Sequence, residues 1–192
     1  MATADPNRVQ SAFVLGSTSE VAQAICRELA RRGCCRFHLV ARNHEANLRL
    51  ADELSGTFAA EVSVEHADLL ADAALHPTRQ PEVGEYDLYL ITAGALGDAD
   101  LARRDASEAL RIMAANVTGL IPWITAIATP ERLARRGRLW VFSSVAADRG
   151  RPSNYHYGAA KAALTLLSEG LLLRCHGQPF AVRIIKAGFM AT

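Results

Sequence analysis

The stretch Ala12-Phe-Val-Leu-Gly-Ser-Thr-Ser-Glu-Val-Ala22 decides the fold. Ala12 to Leu15 is an unbroken apolar run, the pattern of a strand covered on both faces. Gly16 then allows a turn. Val21, Ile25 and Leu29 recur at helical spacing with Ala22 and Ala30 beside them, so a helix follows at once. A strand that feeds a helix through a glycine turn leaves free N–H groups and the positive end of the helix dipole beyond the strand's carboxyl end. That is a ready phosphate site. Ser17 and Glu20 also match a capping box, so a capped helix with no ligand accounts for the same residues. A dinucleotide fingerprint carries more glycine than this turn, where Glu20 and Ala22 stand.

The same alternation continues outward along the chain. Further strands are expected at Phe37–Ala41, Val62–His66, Tyr86–Thr92, Arg138–Ser143 and Ala181–Ile185. Helices are expected at Ala46–Leu54, closed by Ser55-Gly56, at Ala106–Ala128 with a bend at Pro122, and at Tyr155–Cys175. His76–Glu85, with two prolines, is expected to be a surface loop. Strands alternating with helices mean βαβ units, a parallel sheet and right-handed crossovers. The expected fold is therefore α/β, a Rossmann-type doubly wound parallel sheet with helices on both faces. Residues 1–192 would form a single dinucleotide-binding domain.

Composition agrees. The 192 residues are half hydrophobic, with 21 basic against 20 acidic side chains and a net charge of +1. That balance excludes a disordered acidic chain and gives no basic footprint for nucleic acid. The longest apolar segment, Ala114–Ala128, is interrupted by Asn116, two threonines and Pro122, so no membrane span is expected. Met1–Gln10 is polar and lacks the apolar core of a signal peptide. Cys26, Cys34, Cys35 and Cys175 show no metal-ligand spacing. Reduced thiols in a cytoplasmic protein are the expectation, and His38 is expected to be a structural histidine.

In a doubly wound sheet, ligands bind beyond the carboxyl ends of the strands, so the residues after each strand are the candidates. After the second strand comes Arg42, where an NAD-preferring fold usually has an acid; an arginine there suits a 2′-phosphate, or is simply solvated. Asp68 follows the third strand and suits an adenine amine or a helix cap. Thr92-Ala93-Gly94 ends the fourth strand with small residues that let a ligand approach the backbone. Ser144 ends the fifth strand. Tyr157 stands thirteen residues further on and Lys161 four beyond that, a spacing that puts phenol and ammonium on one helix face. A cation beside a phenol is expected to lower its pKa and make it a usable proton donor and acceptor.

These residues resemble a short-chain dehydrogenase/reductase over nearly the whole chain. Ser144, Tyr157 and Lys161, with Asn116 in Asn116-Val-Thr-Gly119, match the family's catalytic set. The resemblance implies Tyr157 as general acid in carbonyl reduction and Lys161 as the group that tunes it and holds the nicotinamide ribose. It implies Ser144 at the substrate oxygen and Asn116 on a relay water. Gly16, Ser17, Ser19, Val21, Arg42, Asp68, Ala93 and Gly94 would line the cofactor cleft. Lys186-Ala187-Gly188 and Thr192 would map to the segment flanking the nicotinamide, with Ala187 in place of the family's usual proline. NADP is the implied cofactor, with NAD possible. The implied substrate is a small-molecule carbonyl or alcohol, and the implied assembly a homodimer or homotetramer. Gly-Ser-Thr-Ser-Glu-Val-Ala and Asp148–Asn154 are similar to a branch that includes decaprenylphosphoryl 2-keto-ribose reductases, so a keto-sugar is a substrate class to consider. Family members continue past the point matched by Thr192, so a C-terminal part is apparently missing. Two other readings stand beside this one. One is a non-catalytic NAD(P)-binding or regulatory protein; the other is an epimerase or dehydratase of nucleotide sugars.

Overall fold

β1 (Ser11–Leu15) is buried along its whole length and sits near the middle of the sheet. The computed structural model describes residues 8–71 and 81–188. Six strands lie in the order β3-β2-β1-β4-β5-β6: β2 (Arg36–Ala41), β3 (Glu61–His66), β4 (Leu88–Ile91), β5 (Gly137–Ser144) and β6 (Phe180–Ala187). Every pairing is parallel. The expected doubly wound α/β sheet is what forms. The helices are α1 (Glu20–Arg31), α2 (His44–Phe58), α3 (Ala99–Ala102), α4 (Ala106–Met113), α5 (Ile121–Ile127), α6 (Pro130–Leu133) and α7 (Tyr155–Arg174).

Side-chain alternation along β1 splits the core in two. Phe13 and Leu15 face Trp123, Ile124 and Ile127 of α5 and Leu164 and Leu171 of α7. Ala12 and Val14 face Ala22, Cys26 and Ala30 of α1 and Leu50 and Leu54 of α2. Burying each large apolar side chain is worth roughly 1.5–3 kcal/mol, so both layers are held by many such increments. His38 is the structural histidine expected, with Nδ1 2.7 Å from Ser63 Oγ and Nε2 2.9 Å from Glu65 Oε2. All four cysteines are free thiols, and burial pushes those of Cys26 and Cys34 up to about 12.

Several boundaries differ from the sequence expectation, each for a local reason. Gly56 does not close α2, which runs on to Phe58 and ends at Ala59, the one non-glycine residue with positive φ (53°) among the described residues. β4 is shorter than Tyr86–Thr92. Asp87 turns its carboxylate to the amides of Gln10 and Ser11, and Thr92 Oγ1 donates to the carbonyls of Leu15 and Gly16. The expected helix Ala106–Ala128 is broken at Asn116 rather than at Pro122. Ala114–Thr118 forms a π-helical turn, and Pro122 sits in the first turn of α5, where a missing N–H costs nothing. By length and mean hydropathy Ala106–Ile127 would suffice to cross a membrane; here it is half buried in the fold and divided by that turn. The expected loop His76–Glu85 lies partly, and Thr192 wholly, outside the described residues.

Gly16 has φ +88°, and a Cβ there would lie 2.4 Å from the Ala93 amide nitrogen. Gly16→Ala is expected to destabilise the fold by roughly 2–4 kcal/mol, combining backbone strain with overpacking against a main chain that cannot move. Equilibrium urea unfolding measures this directly.

Candidate active site

The carboxyl ends of the strands open onto one continuous groove with two arms. One arm, of about 440 Å³, is lined by Ser19, Glu20, Val21, Gly94, Asn116, Ser144, Tyr157, Lys161, Ala187 and Gly188, among others. The other, of about 320 Å³, is lined by Gly16, Arg42, Asp68, Ala93 and Arg111, among others, and shares Thr18, Ser19, Thr92, Gly94 and Ala95 with the first. Among the described residues, the sequence-predicted site residues therefore meet this groove, with the exceptions of Ser17 and Lys186.

Ser17 lies elsewhere. It is fully buried, its hydroxyl is 2.5 Å from Asn47 Oδ1, and its amide donates to the Val40 carbonyl. Its donors are spent on fixing the turn. The predicted capping box of Ser17 and Glu20 does not form either. Ser19 is the N-cap, accepting the Ala22 amide at 3.1 Å. The amides of Thr18, Glu20 and Val21 find no acceptor among the described residues and are free for a phosphate. Asp68 accepts the Leu70 amide at 3.0 Å, the helix-cap alternative, while still lining the groove. Arg42 is exposed at the end of β2 beside Asn43, which caps α2.

On the other arm, α7 places Tyr157 and Lys161 one turn apart. Lys161 Nζ lies 5.9 Å from the Tyr157 ring centroid and donates to the Phe142 carbonyl at 3.0 Å. Only 5% of Lys161 is exposed, and burial lowers its pKa to about 8. The expected lowering of the Tyr157 pKa is absent: burial raises it, and the nearby Ser144 hydroxyl offsets only part of that rise. Desolvation of the phenol is the larger effect, and the Lys161 ammonium lies over the ring with a proton committed to a carbonyl. Ser144 Oγ also accepts the Ala146 amide.

Asn116 is fully buried. Its Nδ2 donates to the carbonyls of Ala95 (2.6 Å) and Ile112 (2.9 Å), and its Oδ1 accepts the Ala95 amide (3.3 Å). It ties the segment after β4 to the helical layer. A Cβ on Gly94 would lie 2.6 Å from Asn116 Oδ1 and 3.1 Å from Lys161 Nζ, which is why a glycine stands there. Sequence reasoning missed the supports. Ser143 Oγ meets Thr165 Oγ1 at 2.6 Å, and both share the Lys161 carbonyl, pinning α7 to β5 beneath the lysine. Lys186 Nζ pairs with Asp148 at 2.6 Å, linking the end of β6 to the turn after Ser144.

The sequence profile of the short chain dehydrogenase family matches residues 10–192. The chain belongs to that family. It is an oxidoreductase of the alcohol/carbonyl type, on a fold whose members bind NAD(P). An uncharacterised oxidoreductase of Mycobacterium tuberculosis is 33% identical over 183 residues, covering 92% of this chain and 72% of that protein. Among solved structures, a bulky-bulky ketone specific alcohol dehydrogenase from Comamonas testosteroni superposes with a TM-score of 0.82 at 24% identity, covering 96% of this chain and 74% of that one. A short-chain dehydrogenase from Sphingobium yanoikuyae in complex with NADPH gives 0.81 at 25%, covering 93% and 70%.

Lys161 holds its proton less tightly folded (about 8) than unfolded (10.5). The unfolded chain therefore binds more protons between those pH values, and stability rises as pH rises through that window. Lys161→Met is expected to flatten that rise and to stabilise the ligand-free protein by roughly 1–3 kcal/mol at pH 7 while destroying turnover. Unfolding midpoints at pH 7, 8 and 10 check this.

Proposed function

We propose that this short-chain dehydrogenase is an NADP(H)-dependent reductase of a small-molecule carbonyl, in which Tyr157 is the general acid. The observation that carries this reading is the meeting of Ser144, Tyr157 and Lys161 at one arm of a groove whose other arm carries Arg42. The residues present fit a dinucleotide. Three free amides at the start of α1 suit the pyrophosphate. At Gly16 and Gly94 there is no room for a Cβ, so the groove floor is bare backbone. The Arg42 guanidinium suits a 2′-phosphate.

Hydride for the carbonyl carbon is what a bound nicotinamide would supply. The remaining work belongs to the chain. Ser144 Oγ and Tyr157 Oη, which line the same arm of the groove, converge on the substrate oxygen. Tyr157 gives up its proton as charge develops there. Lys161, held dry by Phe142 and α7, stabilises the phenolate left behind. The raised pKa of Tyr157 keeps it protonated, the form a reduction needs, throughout the neutral range. Asn116 keeps Ala95 and Gly94 close to Lys161 rather than standing free. Cytoplasmic location and self-association belong to the same reading. Leu110 of α4 and Leu166 and Leu173 of α7 are 69–71% exposed, an apolar surface that suits a homodimer or homotetramer.

Tyr157→Phe is expected to lower kcat for NADPH-dependent ketone or keto-sugar reduction at least about 100-fold while leaving NADPH affinity within about twofold. Undiminished turnover would overturn the mechanism and favour the non-catalytic reading. Arg42→Met is expected to weaken NADPH binding about tenfold and NADH binding little. Fluorescence titration with each nucleotide reads both effects.

A further inference from the structure

The buried acid Glu108 serves none of the steps above. It belongs to α4, its side chain is 8% exposed, and it accepts three hydrogen bonds. Arg111 Nε and Nη2 donate to its two oxygens at 2.5 and 2.7 Å, and the Asp98 amide donates to Oε1 at 2.8 Å. Gly97, with φ +72°, lets the chain turn under this carboxylate: a Cβ there would lie 2.4 Å from Ile112 and 2.8 Å from Glu108 Oε1. Glu108 thus fastens the far end of the Gly94–Asp98 segment, as Asn116 fastens its near end at Ala95. The same carboxylate fixes the guanidinium of Arg111, which lines the Arg42 arm of the groove beside Ala115.

We infer that Arg111 is a second nucleotide-binding arginine beside Arg42, and that Glu108 is the positioning residue that aims it. The inference rests on the dinucleotide reading above. The charge balance decides which part of the nucleotide Arg111 meets. Arg42 forms no ion pair among the described residues and brings a full positive charge, which suits the dianionic 2′-phosphate. Arg111 is neutralised by a bidentate carboxylate. It offers oriented N–H donors on Nη1 and a flat guanidinium face at little net charge. Such a group serves the adenosine-pyrophosphate half that NADPH and NADH share, and does not discriminate between them. Its contribution is also expected to fade less with salt than that of Arg42.

The test is the affinity of the full chain for NADPH, NADH and ADP-ribose at 50 and 300 mM salt, in wild type, Arg111→Met, Arg42→Met and Glu108→Gln. Arg111→Met is expected to weaken all three ligands by a similar factor, about five- to tenfold, with little change in kcat at saturating nucleotide. Arg111→Lys, which keeps a donor, is expected to recover part of the loss. Glu108→Gln is expected to raise KM for the nucleotide like Arg111→Met and also to lower kcat, because it releases the segment carrying Gly94. Thermal melting without ligand identifies any variant that fails to fold, and Arg111→Lys, which keeps a cation beside the buried Glu108 carboxylate, carries the test through a smaller but equally uniform loss if Arg111→Met or Glu108→Gln does. Unchanged affinities in Arg111→Met would overturn the inference, as would a loss confined to NADPH. A wild type that binds none of the three ligands would overturn the dinucleotide reading itself, which separates the two failures.

Discussion

The fold turns on how closely the end of β1 runs against the end of β4. The amides of Thr92 and Ala93 both donate to the Leu15 carbonyl, and the Gly16 amide reaches across to Val40. At that spacing the turn residue has no room for a side chain, and its φ of +88° excludes one on strain as well. Everything functional lies on the shelf this contact creates. The free amides of α1 rise on one side and the Gly94–Asp98 segment on the other, and the two arms of the groove meet over Thr92 and Gly94. A looser approach would let side chains fill the floor that a nucleotide needs.

The second constraint is how polar groups are buried beside that floor. Asn116 and Lys161 are both almost wholly out of water, and each such group costs free energy unless its partners are in place. Asn116 satisfies the requirement by taking the Ile112 carbonyl and both main-chain groups of Ala95. The helical layer becomes a π-turn at that point, and breaks in the helical ladder of this kind recur at functional sites. Lys161 has the Phe142 carbonyl and little else, and its lowered pKa records the shortfall. On the mechanism proposed above, a site that would stabilise negative charge during reaction is left under-neutralised at rest, the usual exchange of stability for function.

Sheet and helix order were legible in the sequence because buried parallel strands are continuous apolar runs and the covering helices show a 3.6-residue period. So was the grouping of Ser144, Tyr157 and Lys161, since spacing along one helix and one strand end is fixed by geometry. What escaped the sequence depends on long-range partners. That Ser19 rather than Ser17 caps α1 follows from Asn47, thirty residues from Ser17, claiming the Ser17 hydroxyl. The break at Asn116 follows from Ala95. The direction of the Tyr157 shift follows from burial, which no local pattern reports. The Glu108–Arg111 pair was visible as an i, i+3 charge pair, but such pairs usually decorate a solvated face. Only the fold shows the acid of this one to be buried.

The two departures at the first turn, Glu20 and Ala22, can now be judged by what each position has to do. Ala22 is fully buried against the β1 face. Its methyl is accommodated between helix and sheet, so the close packing a glycine would provide is kept. Glu20 is exposed in the first turn of α1, where a carboxylate stabilises the ligand-free helix through its dipole. On the proposed reading, that same carboxylate would repel an incoming pyrophosphate at the end of the groove where the free amides lie. Positive charge therefore has to come from elsewhere along the groove, and on the arm away from Lys161 the described residue that carries it outside any ion pair is Arg42. Nucleotide affinity in this chain should accordingly lean more on the adenosine arm than on the glycine turn, which makes that arm the more sensitive place to weaken it.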